Sequence, residues 1–515
     1  MTIQELLKGL KVTGKDGPLN TEIKGIAYDS RLIGRDFLFV AIKGFSVDGH
    51  DYIKDAVSRG AAAVIAERTV GVKDMVQDSI AYIEVPDSRE ALALTSTAFY
   101  GHPSEKLSLV GITGTNGKTT TSFITRSIIH AGGSNAGLLG SILYMTGEST
   151  TSASNTTPES LDLQRYLSDM VGNDMKYAVL EVSSHALSLK RVEGCQFDVA
   201  AYTNFSRDHL DFHHTMDEYF TAKCRIFDLM GPGGTAVLNW DDPGIRGVAE
   251  KLNCNVITCG TEEGAMFRAE NIKEEGSQKS EVRNQKSDNR TAIPSGVSFD
   301  IRTPGSRFRV DSKFLGKFNV YNILMSAGIA HALGFSDEII QQGIRDAEPV
   351  EGRFENIDEG QDFLCIVDFA HTDDALKKSL QEARAITQGK VITVFGCGGD
   401  RDRTKRPLMG AVASEMSDIV FVTSDNPRSE DPGEIIRDTV KGMKKNNYSE
   451  QPDREQAIME ALSVTGKGDT LIVAGKGHEH YQEIKGERYP FSDREILRRE
   501  IKKRLAISRQ EKAES

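Results

Sequence analysis

The chain runs to 515 residues but carries only six cysteines, Cys195, Cys224, Cys254, Cys259, Cys365 and Cys397, and no two of them form a C-x-x-C pair. That scarcity signals neither a disulfide framework nor a structural zinc site, and it suits a reducing cytoplasm. Excess positive charge is missing too. The formal net charge of -12 argues against a general nucleic-acid binder, whose phosphate contacts need clustered Lys and Arg. Basic runs such as Lys441 to Lys445 are short and read as a solvated helix face. No stretch of roughly 18 apolar residues occurs, so no membrane insertion is expected. Met1 to Lys8 has no basic segment leading into an apolar one, so nothing there marks export. Repeats and low-complexity tracts are lacking outside residues 272–292, a polar stretch expected to be an exposed, mobile insertion.

What is present is an ordinary globular composition, 38% hydrophobic and 27% charged, over a length that suits about three domains. The most informative segment is Leu109 to Thr121, an apolar strand breaking into a glycine-rich turn that ends in Gly117-Lys118-Thr119-Thr120. Gly114 and Gly117 let backbone N–H groups approach an anion, Lys118 adds a point charge, Thr119 offers a hydroxyl to Mg²⁺, and the next helix turns its positive end to the same place. The position five before Gly117 is Ile112 rather than glycine, so this is a shortened form of the phosphate-binding G-x-x-x-x-G-K-[ST] loop.

Beyond that loop, short apolar runs alternate with stretches of helical period, the signature of α/β layers around mostly parallel sheets. Polar and glycine-rich residues follow the strands: Ser183 to His185 after Tyr177–Val182, Ser206 to His209 after Val199–Phe205, and Ala370 to Thr372 after Cys365–Phe369. The pattern continues with Cys397 to Arg401 after Lys390–Gly396, Asp425 to Arg428 after Ile419–Ser424, and Lys476 to Glu479 after Thr470–Gly475. Parallel α/β sheets bind ligands beyond the carboxyl ends of their strands, so two sites are expected, one in each sheet. The expected blocks are 1–105, 106–335 and 336–515, the last boundary following an apolar helix with Ile323, Met325, Ile329 and Leu333. The first block, with strands near Phe37–Ile42 and Ala62–Ala66 and a helix near Tyr52–Arg59, carries no catalytic-looking cluster and is expected to bind substrate.

Glu181 ends an apolar strand, where its carboxylate can reach a phosphate-bound Mg²⁺ or merely meet solvent. His209 and His213 are spaced to share a helical face, which with Asp211 and His214 leaves zinc conceivable. Lys223 falls on the inward stripe made by Tyr219, Phe220, Ile226, Phe227 and Met230; its ammonium must snorkel or be altered, for example to a carbamate able to bind metal. Arg401, Arg428 and Glu479 lie past three different strands and could together read a zwitterionic amino acid, or could form structural ion pairs. Pro427 stiffens the loop from which Arg428 points.

Taken together, these residues resemble the Mur ligase family, over essentially the whole chain. Thr113 to Thr120 matches its phosphate loop, Asn155-Thr156-Thr157-Pro158 its substrate-binding motif, and Glu181 to His185 a motif whose glutamate binds magnesium. Thr203-Asn204 with Asp208 to Asp211 is a further match, and Lys223 falls where the family carries a carbamylated lysine. The resemblance implies three α/β domains: an N-terminal UDP-substrate domain, a central ATP-binding parallel-sheet domain and a C-terminal Rossmann-like domain. It implies ATP and Mg²⁺, with Thr119, Glu181, His209 and carbamylated Lys223 as the metal set and Lys118 with Lys223, His209 and Glu181 as catalytic groups.

ATP contacts are implied at Gly114, Thr115, Asn116, Gly117, Lys118, Thr119, Thr120, Asn319, Arg353 and Asp368. The UDP-muramyl dipeptide would meet Ser30, Phe45, Ser46, Val47, Asn155, Thr156, Thr157, Ser183 and Arg191. Asp425-Asn426-Pro427-Arg428 is the tag of members that add meso-diaminopimelate, and Arg401, Gly475 and Glu479 would complete that pocket. The implied reaction is ATP-dependent joining of meso-diaminopimelate to UDP-N-acetylmuramoyl-L-alanyl-D-glutamate in peptidoglycan precursor synthesis, by a cytoplasmic monomer. L-lysine addition, folate polyglutamylation and a slow nucleotide-gated switch are the alternatives. Departures are Leu189, where relatives often have glutamine, Glu351 before Gly352-Arg353, and Asp373 after His371-Thr372; the last two replace prolines. None removes a charged group that the implied mechanism needs.

Overall fold

The structure is a computed structural model, and residues 1–45, 47–68, 80–276 and 294–514 are described. Three sheets follow one another along the chain. The first has the order Gly14–Asp16, Ala81–Glu84, Ala61–Ala66, Phe37–Val40, Gly25–Ala27, parallel except for its first pair. Helices Ile53–Ser58 and Ser88–Phe99 complete this α/β block.

The second sheet has eleven strands. Its parallel centre runs Ala136–Leu139, Tyr177–Glu181, Ser108–Thr113, Phe197–Tyr202, Met230–Asn239, Asn255–Gly260. Such strands are covered on both faces, which is why they read as continuous Val, Leu, Ile and Ala. One face carries the phosphate-loop helix Lys118–Ala131 and the helix Lys317–Ala332, the other the helix Ser160–Gly172. Because Ser108–Thr113 pairs with Tyr177–Glu181 on one side and Phe197–Tyr202 on the other, with Ile112 opposite Glu181 and Thr113 opposite Tyr202, the loop after Thr113 emerges between Glu181 and Thr203.

Two expectations change here. The helix Asp337–Asp346 buries Ile340 and Ile344 in the same core as Ile124 and Ile128, so it belongs with the second sheet and the third block begins later than residue 336. Apolar spacing shows that a helix has a buried stripe, not which sheet receives it. Residues 272–276 are not insertion: they finish the strand Phe267–Gly276, antiparallel to Pro294–Arg302, and 277–292 lie outside the described residues. Lys273, Glu274 and Glu275 after a single apolar Ile272 conceal the end of this strand in polar composition.

The third sheet runs Glu355–Asn356, Leu364–Asp368, Thr470–Ala474, Val391–Phe395, Ile419–Val422, Tyr448–Glu450, parallel after the first pair. Its four central strands all end toward one edge, so the turns after Asp368, Phe395, Val422 and Ala474 gather there. The run Lys441 to Lys445 is a turn after the helix Pro432–Val440 rather than a helix face. Among the described residues, no helix is long and apolar enough to cross a membrane.

Candidate functional site

The phosphate loop is shaped by close approach. Gly114 has φ +142°, and a Cβ there would lie 2.0 Å from Thr203 Oγ1; Gly117 has φ +85°, and its Cβ would lie 2.3 Å from Asn322 Oδ1. Asn204 braces the turn, accepting from the Asn116 N–H at 2.9 Å and donating to the Asn116 carbonyl at 2.9 Å. Thr115 meets Tyr219 OH at 3.2 Å. Thr120 is buried in the first turn of the helix. Asn319 acts one step back: it accepts from Asn322 Nδ2 at 2.8 Å, and it is Asn322 that faces Gly117.

Two lysines converge on the loop. Lys118 Nζ donates to the Gly114 and Thr115 carbonyls at 2.9 and 3.0 Å, and Lys223 Nζ donates to the same Gly114 carbonyl at 2.8 Å. Lys223 does not snorkel; it is 1% exposed. Burial, reinforced by the Lys118 charge, holds its amine well below the ordinary lysine range. Burial also lowers Lys118, against the pull of Glu181 and Asp208.

Across the loop Thr119 Oγ1 donates to Glu181 Oε2 at 2.9 Å, and Glu181 also accepts from the Ser141 N–H at 2.9 Å and hydroxyl at 3.0 Å. Glu181 is therefore buried and oriented, not a solvated strand end. Ser141 continues to Thr156 Oγ1 at 3.1 Å. Thr157 donates to the Glu181 carbonyl at 2.8 Å, accepts from the Ser183 N–H at 3.1 Å, and its carbonyl accepts from Arg191 at 3.1 Å. Asn155 is fixed by its N–H to Tyr144 OH at 3.0 Å. Hydrogen bonds thus join this substrate-motif cluster to the phosphate-loop hydroxyl.

Arg353 lies 4.6 Å over the Phe369 ring and feels the carboxylates of Glu181 and Asp368. Burial raises Asp368, which accepts from the N–H groups of Phe354 and Ala370 at 2.6 and 2.8 Å. Ser30 is buried at the start of the turn Ser30–Leu32. Phe45 is exposed but meets Phe212 edge-on at 6.0 Å, and Phe212 in turn lies 4.2 Å from His185. Val47 is exposed, and Ser46 lies outside the described residues.

The expected pairing of His209 with His213 is not found. The helix is only Leu210–His213, and His209 precedes it with a left-handed φ of 53°. His213 is buried on Ser184 Oγ at 2.9 Å, whereas His209 packs edge-on to His185 at 4.8 Å and faces a cleft. Among the described residues no group of three or more His, Cys, Asp or Glu is arranged to hold a metal ion. The oxygen pair Thr119–Glu181 does suit Mg²⁺, a hard cation that takes few protein ligands beside phosphates. Lys223 as an amine does not fit as a ligand, since its Nζ is engaged as a donor.

The cleft, about 390 Å³, joins the second and third sheets: His185 and His209 line one wall, Arg401, Arg428, Asp425 and Glu479 the other. Asn426 and Gly475 line it as well; Pro427 does not, and its carbonyl instead accepts from the Glu430 N–H at 3.0 Å. Arg428 sits at φ 51°, donates to the Gly399 carbonyl at 2.7 Å and pairs with Glu483 at 3.4 Å. The ion-pair alternative among Arg401, Arg428 and Glu479 is therefore not realised. Gly475 has φ +117°, and a Cβ there would come within 2.6 Å of Asp425 Oδ2. Glu351 pairs with Arg494 at 2.5 Å away from the cleft, whereas Asp373, which starts a helix capped by Thr372, lines the cleft and adds a carboxylate to it.

Sequence reasoning missed two groups here. Arg207 and Lys405 add cationic lining. Lys476 is fully buried beneath Glu479, and a lysine between glycines at the end of an apolar parallel strand was the available signal.

A nucleotide-type phosphate loop opposed, across a cleft, by a second α/β sheet that presents guanidinium groups suits an enzyme that brings a phosphate-bearing ligand to a carboxylate-bearing one. Family models agree: residues 22–100 match the Mur ligase family catalytic domain, 112–330 the Mur ligase middle domain, and 352–477 the Mur ligase glutamate ligase domain. The chain belongs to the Mur ligase family, which catalyses ATP-dependent peptide ligation. It is 43% identical to the UDP-N-acetylmuramoyl-L-alanyl-D-glutamate--2,6-diaminopimelate ligase of Bacillus licheniformis over 97% of this chain and 99% of that protein. Identity is also 43% with the enzyme of the same name from Geobacillus kaustophilus, over 94% and 96%. A solved structure of a ligase of that name superposes with a TM-score of 0.66 at 29% identity, covering 98% of this chain and 99% of that one. A MurF ligase from Thermotoga maritima in complex with ADP shares the fold, with a TM-score of 0.60 at 21% identity over 94% and 99%.

Proposed function

We propose that the chain joins meso-diaminopimelate to the D-glutamyl γ-carboxylate of UDP-N-acetylmuramoyl-L-alanyl-D-glutamate at the expense of ATP, as a cytoplasmic monomer. The observation that carries this reading is the shared cleft, where Arg401, Arg428, Asp425, Asn426 and Glu479 face His209 of the nucleotide-loop block. Two guanidinium groups suit carboxylates and Glu479 suits an ammonium, a match for an amino acid bearing both charges at two ends.

The Gly114 to Thr120 loop and Lys118 hold the ATP phosphates, Lys118 exchanging loop carbonyls for phosphate oxygens, with Asn319, Arg353 and Asp368 completing the nucleotide contacts. Ser30, Phe45, Ser46 and Val47 take the uridine side of the muramyl substrate, while Asn155, Thr156, Thr157, Ser183 and Arg191 take its peptide end. Its carboxylate oxygen attacks the γ-phosphorus, the bond to the β-bridging oxygen breaks, and ADP leaves an acyl phosphate. The free amine of diaminopimelate attacks that carbonyl, the carbon–oxygen bond to phosphate breaks, and the amine loses a proton. Positioning and charge neutralisation supply most of the catalysis.

Thr119, Glu181, His209 and Lys223 would hold Mg²⁺, which neutralises charge developing on the transferred phosphoryl group. Lys223 joins that set as a carbamate: its uncharged amine adds to CO₂ and releases a proton, turning a buried donor into an anionic oxygen ligand. Burial that holds the amine well below the ordinary lysine range supports this.

Phosphate release from ATP with the UDP-muramyl dipeptide, compared for meso-diaminopimelate, L-lysine and no amine, tests the reading. Release that requires both the dipeptide and diaminopimelate, with a new amide in the product, is expected. Release with no amine and no new amide would instead indicate a nucleotide-gated switch, and preference for L-lysine would reject the amino-acid assignment.

A further inference from the structure

Lys476 is a fully buried ammonium beneath Glu479, set over the Tyr481 ring, and its two hydrogen bonds are specific. It donates to Asn426 Oδ1 at 3.0 Å and to Glu479 Oε2 at 3.0 Å. Asn426 Oδ1 also accepts from the Glu483 N–H at 2.9 Å, and Asn426 Nδ2 donates to Glu479 Oε2 at 2.7 Å. With two donors aimed at its oxygen, the Asn426 amide has one orientation, since the reverse would set N–H against N–H. Both donors to Glu479 land on Oε2, and Oε1 accepts no hydrogen bond among the described residues while Glu479 lines the cleft.

We infer that Lys476 is the positioning residue of the amino-acid pocket: it locks Asn426 and pins Oε2 of Glu479, leaving Oε1 alone to receive the substrate's ammonium. This rests on the proposed function. It adds a specificity-determining group that never touches substrate. A carboxylate held by Asn426 alone would be free to exchange its two oxygens or to swing toward the cleft arginines. Lys476 removes those alternatives before substrate arrives, and preorganisation of that kind appears as affinity for the amine.

The test is steady-state kinetics of Lys476→Met, Glu479→Gln and the double variant on the full chain, varying each substrate in turn. For Lys476→Met the KM for diaminopimelate should rise about tenfold or more, the loss of a charged hydrogen bond, while KM for ATP and for the dipeptide stays within about twofold. The double variant should be no worse than Glu479→Gln alone, because Lys476 acts through that carboxylate. Effects that multiply, or KM values for all three substrates rising together, would overturn the inference and mark Lys476 as structural. Should Lys476→Met not fold, Lys476→Gln keeps a donor and is expected to show a smaller, still amine-selective rise. If the wild-type chain prefers L-lysine, the functional reading falls while the same comparison on L-lysine still judges Lys476.

Discussion

Lys118 and Lys223 both donate to the Gly114 carbonyl, so two lysine side chains from different elements share one acceptor. Helical period placed Lys223 inward, between Tyr219 and Ile226. What it touches was beyond the sequence, because Gly114 lies 109 residues away. His213 shows the same limit: its spacing from His209 suggested a shared face, whereas a left-handed His209 breaks the helix and leaves His213 buried. Burial first, then the charges of His185 and Lys223, push the His213 imidazole down to about 4 from 6.5. In the unfolded chain the ring takes up a proton near 6.5, and in the folded chain only near 4. Its contribution is therefore whole above the upper value and is lost as pH falls toward the lower one. His213→Gln, which keeps a partner for Ser184, should lose less stability across that window than wild type in urea titrations. Identical pH slopes for the two proteins would contradict this.

At the scale of elements, the strands that lead into the polar and glycine-rich turns were legible to within a few residues, because buried parallel strands are apolar on both faces and end abruptly in Gly, Ser, Asp or Asn; Ala136–Leu139, Met230–Asn239 and Asn255–Gly260, which lead into no such cluster, were not singled out. The loop after Thr113 was legible for a stricter reason: only glycine fits where Thr203 and Asn322 come so close. Gly117→Ala places a side chain at φ +85° against Asn322. It should cost about 1–3 kcal/mol in denaturant unfolding and weaken ADP binding by about tenfold or more. Wild-type affinity in a calorimetric titration would refute this account of the loop. The helix Asp337–Asp346, placed by the sequence reading in the third block, packs instead against Lys118–Ala131, since which core receives an apolar stripe is decided by tertiary packing. Lys476 was hidden for the complementary reason, because burial of a charge depends on partners brought together from Asn426, Glu479 and Tyr481.

At the scale of the molecule, the blocks are joined by hydrogen bonds and ion pairs, among them Lys190 with Asp87 and Glu90, and Lys378 with Ser206. Tyr28 donates to Asp162 at 2.9 Å, and Arg89 and Arg191 both pair with Glu159 at 3.3 Å. Ser206 donates to Asp374 at 2.8 Å across the cleft's base. Ion pairs and hydrogen bonds at such seams each hold the blocks only weakly, and a reaction whose two substrates sit on opposite walls needs closure of one block on another to exclude water from an acyl phosphate. The three-block plan followed from chain length and the alternation of strands with helices. The sharing of one cleft by two sheets did not, since no local pattern encodes the orientation of domains.

The central claim is that phosphate leaves as part of an activated D-glutamyl carboxylate. Labelling that carboxylate with ¹⁸O and analysing the released phosphate by mass spectrometry tests it most directly. One labelled oxygen per phosphate, in step with amide formation, is the predicted result; amide formation with unlabelled phosphate would contradict it.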